Sequence, residues 1–252
     1  MAESEVFVKN PHSILEALKR RPKEVLSVSL PRDEFDGVWE QIEELARKNK
    51  VRVEETSAVD RSAGRRERSH FKNNIGGRES GHGALLRPKT SIPIETMFSG
   101  VSESSRGVWL ALDSLQDPQN LGAIFRSASF FGVKGIIMTT ERSAPMTSVV
   151  YDISCGGVES LPFVQAINLQ RAFEKAKDAG LWILGTSEHA KESLKKIQND
   201  RPWLVVVGNE EKGIRRLTEE SCDIVCTIPG AGKGVTSLNV SVATGVMLSH
   251  LC

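Results

Sequence analysis

Five short runs of nearly unbroken apolar residues, each stopped by turn-forming or charged residues, constrain this chain more than any other feature. They are GVWLALD (107–113), GIIMTT (135–140), LWILGT (181–186), WLVVVG (203–208) and DIVCTIP (223–229). Such a run suits a strand buried on both faces, as a parallel sheet packed between helices requires. Helical patterns separate the runs, notably over 169–179, so an α/β domain with a mainly parallel sheet is expected. The last segment, 237–251, follows helical spacing but is apolar almost all round, with Leu238, Val240, Val242, Ala243, Val246, Met247, Leu248 and Leu251. Such a helix has to be buried in its own domain, against another subunit, or both.

The front of the chain reads differently. Residues 13–18 and 35–46 carry helical spacing, while 25–30 (VLSVSL) and the Val51–Val53 pair alternate like strands, which together make a small α/β unit. Residues 61–89 hold eight Lys/Arg, two Glu and five Gly, the profile of a basic connector expected over about 56–90. Two domains follow, 1–90 with its connector and 105–252.

Net charge is +1, from 33 Lys+Arg against 32 Asp+Glu, so bulk charge neither demands nor excludes a polyanionic partner. Cys155, Cys222, Cys226 and Cys252 are too few and too scattered for a disulfide framework. Cys222 and Cys226 stand four apart, but no second pair follows at zinc-ligand spacing, so they read as buried thiols and no metal is expected. No apolar stretch approaches the roughly 18 residues of a membrane span, and the start lacks the marks of a signal or transit peptide. The chain reads as soluble.

Three motifs carry chemistry. DPQNLGAIFRSA (117–128) follows the first strand: Asp117 or Asn120 can cap a helix, Pro118 suits its first turn, and Leu121, Ile124, Phe125 and Ala128 form one apolar stripe. Arg126 points away from that stripe. In VVVGNEEKG (205–213) a strand runs straight into Gly208 and Glu210, and ligands in open α/β sheets bind beyond the carboxyl ends of strands. Gly208 would let a ligand approach the backbone there. IPGAGKGVTSLNVSVATG (228–245) is a strand end, a Gly-rich loop and the final helix, with Ser237 as its expected cap. Asn239 near its first turn needs a partner, because a buried amide without one costs about 1 to 3 kcal/mol. GAGKG is no nucleotide-binding loop: the pattern G-x-x-x-x-G-K-[ST] wants Gly where Thr227 stands and Ser or Thr where Gly234 stands.

Together, in this order and spacing, the three motifs resemble the SpoU (TrmH-like) branch of the SPOUT RNA methyltransferases. The match covers about 107–252, while FVKNPHSILEAL and GHGALL in the front part are similar to the L30e-like substrate-binding domain of the 23S rRNA guanosine 2'-O-methyltransferases. RSAPMTSVVYDISCGGVE (142–159) and SLNVSVATGVMLSHLC look closest to the mitochondrial type. The resemblance implies a trefoil-knotted sheet, a homodimer, rRNA as substrate, S-adenosylmethionine as cofactor, and a mitochondrial or else cytoplasmic setting. It implies a site in which Arg126 helps remove the ribose 2'-hydroxyl proton while Asn120, Glu210, Ser237 and Asn239 align that hydroxyl with the donor methyl. Backbone of Gly185, Thr186, Gly208, Ile228, Ser237 and Leu238 would hold the cofactor. A tRNA 2'-O-methyltransferase, or a non-catalytic RNA-binding protein on the same scaffold, is the alternative.

Overall fold

The computed structural model describes residues 5–31, 37–55, 81–209, 211–231, 234 and 237–252. The chain divides into two compact units, Met1–Pro88 and Lys89–Cys252.

The first unit runs β1 (Val6–Val8), α1 (Pro11–Arg20), β2 (Val25–Leu30), α2 (Gly37–Lys48), β3 (Arg52–Glu55) and β4 (Gly83–Leu86). Its sheet has the order β1-β4-β2-β3, with β2 and β3 parallel and β4 antiparallel to both its neighbours. Pro11 opens α1 rather than preceding it, since Asn10 is the cap and accepts from the His12 and Ser13 amides at 3.0 and 3.2 Å. The helix buries Ile14, Leu15, Ala17 and Leu18, and α2 buries Trp39, Ile42 and Ala46.

The connector expected over 56–90 is corrected at its end. Gly83–Leu86 is an inner strand with Ala84 and Leu86 fully buried, and a Cβ on Gly83 would meet the Val8 carbonyl at 2.6 Å. Three apolar residues are too few for periodicity to reveal; pairing on both sides makes them a strand. Residues 56–80, most of that connector, lie outside the described residues.

The second unit runs α3 (Ile94–Met97), β5 (Gly107–Leu112), α4 (Pro118–Phe130), β6 (Ile136–Thr139), α5 (Ser148–Ser154), α6 (Gly157–Ser160), β7 (Phe163–Ala166), α7 (Leu169–Asp178), β8 (Trp182–Thr186), β9 (Glu192–Ser193), β10 (Pro202–Val207), α8 (Arg216–Glu220), β11 (Ile224–Thr227) and α9 (Val240–Leu251). Its sheet has seven strands in the order β7-β6-β5-β10-β8-β11-β9, and every ladder is parallel. The five apolar runs became β5, β6, β8, β10 and β11. All six residues of β10 are buried, because the strand is inserted between β5 and β8.

Alternation along the strands sorts the core into two faces. Trp109, Ala111, Ile137, Ile183, Leu204 and Val206 pack with Leu169, Ala172, Phe173 and Ala176 of α7. On the other face α4 inserts Phe125 edge-on against Phe163, ring centroids 6.1 Å apart, and α9 packs against α4 and β5. Small residues let the helices close: a Cβ on Gly122 of α4 would meet Ile153 of α5 at 2.8 Å, and one on Gly157 would meet the Phe125 carbonyl at 2.5 Å.

Lys89, counted from sequence among the connector cations, is spent inside the second unit. Its ammonium donates to the carbonyls of Val158, Glu159 and Leu161 at 2.8, 2.9 and 2.7 Å, at the open end of α6. Among the described residues no helix is long and apolar enough to cross a membrane.

Candidate active site at the carboxyl edge of the sheet

Because all seven strands are parallel, their carboxyl ends share one edge. β8 ends there in Thr186, while β5 runs on into Asp113 and Ser114, β10 into Gly208 and β11 into Ile228. The ladders place Gly185 opposite Val206 and Val225, and Thr186 opposite Cys226, so the ends of β10, β8 and β11 stand side by side.

The first motif enters from β5. Asp117 caps α4 by accepting from the Gln119 amide at 2.8 Å, Pro118 fills the first position, and the stripe of Leu121, Ile124, Phe125 and Ala128 is buried as its spacing predicts. Asn120 lies in the first turn and is 7 % exposed. The third motif enters from β11. Here the expected cap is corrected: α9 begins at Val240, and its cap is Asn239, whose Oδ1 accepts from the Ser241 amide at 2.8 Å and hydroxyl at 2.6 Å. Ser237, two residues earlier, is exposed. An asparagine oxygen accepts from the second helical N–H as a serine would, and the chain selected the later residue.

The burial expected of Asn239 is corrected, since the residue is exposed, yet its amide does find a partner in Asn120. The Asn239 Nδ2 donates to Asn120 Oδ1 at 3.0 Å across 119 residues of sequence. Two helix amino ends therefore meet, and their dipoles favour negative charge beside them.

The second motif forms a tight turn after β10, closed by paired Asn209–Gly213 backbone bonds of 3.0 and 2.9 Å. Glu210 itself lies outside the described residues. Gly208 is needed for a reason other than ligand approach: a Cβ there would meet the Gly213 carbonyl carbon at 2.0 Å and the Ile214 nitrogen at 2.2 Å, so the turn itself occupies the space. Gly185 is likewise explained by packing, since Cys222 Sγ would stand 2.8 Å from its Cβ. The Thr186 hydroxyl donates to the Val206 carbonyl at 3.1 Å, and Leu238 is 49 % exposed.

Arg126 is exposed on α4. Six residues beyond Asn120, it lies about 9 Å further along the axis and about 120° around it. Ideal helix geometry therefore turns it away from the side of α4 that bears Asn120.

Of the two thiols expected to be buried, Cys226 is and Cys222 is partly so, while Cys252 is exposed. Burial, with Asp223 nearby, pushes Cys222 up to about 12, and burial, with Glu192, pushes Cys226 up to about 11. Among the described residues no group of three His, Cys, Asp or Glu could hold a metal. Sequence reasoning missed Asp113, Ser114, Asn209 and Arg215, which tie the second motif to the end of β5. The signal was there in an acid closing an otherwise apolar strand.

A seven-stranded parallel sheet whose carboxyl edge gathers these three motifs is the architecture of an RNA methylase domain: residues 107–249 match the SpoU rRNA Methylase family, and the chain belongs to it. Over nearly its full length it is also similar to the 23S rRNA (guanosine-2'-O-)-methyltransferase RlmB of Pseudomonas aeruginosa, 36 % identical, covering 95 % of this chain and 93 % of that one. Among solved structures, the SpoU methyltransferase AviRb of Streptomyces viridochromogenes shares the fold with a TM-score of 0.77 at 20 % identity, covering 98 % of this chain and 88 % of that one. An AdoMet-bound rRNA methyltransferase of Sinorhizobium meliloti does so with 0.73 at 21 %, covering 98 % and 86 %. These three relatives are bacterial, so the mitochondrial placement gains no support from them.

Proposed function

We propose that this protein transfers a methyl group from S-adenosylmethionine to a ribose 2'-hydroxyl of RNA, with a guanosine of large-subunit rRNA as the substrate. The observation that carries the reading is the Asn239–Asn120 contact, which unites motifs 119 residues apart at the carboxyl edge of a SpoU-family sheet. The ends of β8, β10 and β11 leave main-chain groups of three adjacent strands beyond their ladders, a donor set suited to an adenine and an amino-acid group. Thr186, Gly208, Ile228, Ser237 and Leu238 would hold the cofactor through their backbone, with Gly185 supporting them by packing. The cofactor supplies an electrophilic methyl on sulfur.

The chain's own residues place the ribose oxygen and stabilise the charge that develops on it. Asn120 and Asn239, with Ser237 and Glu210, orient the hydroxyl. Arg126 stabilises the developing alkoxide, a guanidinium being a poor base in water, and the proton passes to a phosphate oxygen of the substrate. Helix geometry turns the exposed Arg126 away from Asn120 on α4, so we assign it to the site of a second subunit. A homodimer would bring it there through α9, whose Val242 and Val246 are 52 and 38 % exposed, and through Leu238 just before it, 49 % exposed. A trefoil knot and an RNA-binding role for the first unit belong to the same proposal.

Incubating the full chain with labelled S-adenosylmethionine and ribosome-free 23S rRNA or tRNA tests the reading. Label is expected in rRNA as 2'-O-methylguanosine. Label in tRNA alone selects the alternative substrate, and cofactor-independent RNA binding without label selects a non-catalytic binder. Arg126→Ala should lose transfer by about 100-fold or more while still binding cofactor; near-normal turnover removes Arg126 from the mechanism.

A further inference from the structure

The end of β5 holds a buried polar cluster that the proposed chemistry does not use directly. Asp113 is fully buried, and its carboxylate accepts from Arg215 Nε at 2.6 Å, the Arg215 amide at 3.1 Å and the Ser114 hydroxyl at 3.1 Å. Ser114 adopts φ 62°, the left-handed region that a side chain disfavours. Its amide donates to the Thr139 hydroxyl at 3.3 Å, and its carbonyl accepts from Asn209 Nδ2 at 3.0 Å. Asn209 Oδ1 in turn accepts from the Glu211 and Lys212 amides at 3.1 and 3.2 Å.

These bonds converge from both sides on the turn after β10. Holding β10 beside β5 does not require them, because six residue pairs in parallel register already do so. A buried carboxylate is tolerated only when paired, and a left-handed serine persists only where its surroundings over-determine it. Both features sit at the edge where the three motifs meet.

We propose that Asp113 and Arg215, acting with Ser114 and Asn209, are positioning residues for methyl transfer. They tie Asn209 and Arg215, on either side of the turn, to the end of β5, so that the described part of the second motif is held at a fixed place relative to the first turn of α4, where Asn120 lies. The inference rests on the methyl-transfer reading and extends it to residues that touch neither substrate nor cofactor. Removing the clamp lets the turn shift while the strands stay paired, and a small misplacement of an aligning group lowers turnover more than binding.

The experiment compares the full-length protein with Arg215→Ala, Arg215→Lys, Asn209→Ala and Asp113→Asn. It measures kcat and KM for rRNA, the Kd for S-adenosylmethionine, and the thermal midpoint, with assays run well below that midpoint. Wild-type turnover tests the parent reading separately: without it both proposals fall, and with it the variants decide. In Arg215→Ala and Asn209→Ala, kcat per folded molecule should fall by about 10- to 100-fold, with KM and cofactor Kd within about threefold of wild type. Arg215→Lys should recover part of the loss, because an ammonium can pair with Asp113 without reproducing the guanidinium geometry. If Asp113→Asn does not fold, the variants at half-exposed Arg215 and at Asn209 still decide. An unchanged kcat in Arg215→Ala and Asn209→Ala, whatever the thermal midpoint does, overturns the proposal, as does a loss confined to cofactor affinity.

Discussion

At Asn239 one side-chain amide serves two ends. Its oxygen caps α9 and its nitrogen donates to Asn120, so stability and site geometry are coupled through a single residue. The two roles can be separated by chemistry. Asn239→Asp keeps an acceptor at the cap, where a carboxylate also suits the helix amino end, but replaces the donor with an oxygen facing Asn120 Oδ1. The expected outcome is a thermal midpoint near wild type and a turnover reduced by about tenfold or more, whereas Asn239→Ala should lose both turnover and about 1 kcal/mol of stability. Calorimetry beside the methylation assay checks this, and wild-type turnover in Asn239→Asp would return Asn239 to a purely capping role. At this scale a polar residue at the start of an apolar helix was legible, but the burial expected of Asn239 was not borne out, because the residue is exposed, and its partner was hidden by the 119 residues between the two.

Helix α9 shows what periodicity can and cannot say about an element. Its almost uniformly apolar surface predicted burial, and Met247, Leu248 and Leu251 are fully buried. On the opposite side Val242 and Val246, four apart, face out and border a shallow hollow of about 530 Å³ lined by Phe131, Val242, Gly245, Val246, Ser249 and His250, and Leu238 just before the helix is exposed as well. A second copy of the chain is the occupant proposed above. Val242→Glu combined with Val246→Glu should convert a dimer to a folded monomer in sedimentation velocity and abolish transfer if Arg126 works across the interface. A wild-type chain that sediments as a monomer at micromolar concentration defeats the dimer. Other elements escaped the sequence for plain reasons. β7 and β9 are four and two residues long, and α5 and α6 are separated by Cys155 and Gly156, both in left-handed backbone, which breaks one helical pattern into two pieces too short to recognise.

Across the whole molecule, RNA recognition should be electrostatic in part. The eight cations of residues 61–89 are reduced to six at most for a polyanion, because Lys89 is consumed by the end of α6 and Arg87 pairs with Glu24 at 3.6 Å. If the remaining cations contact phosphates, rRNA affinity should fall steeply with salt through counterion release, and replacing Arg65, Arg66, Arg68 and Lys72 by Gln should flatten that slope. Titration between low and physiological salt measures it, and equal slopes for the two proteins would leave that segment a plain linker.

By itself the sequence determined the strands buried on both faces, the amphipathic stripe of α4 and the three motifs, because burial and capping write themselves locally in spacing and residue type. Tertiary structure alone decided that β10 enters between β5 and β8, that Asn239 meets Asn120, and that a buried Asp113 reaches Arg215. Those contacts join residues about a hundred positions apart. Their energies depend on distance in space, which no local pattern records.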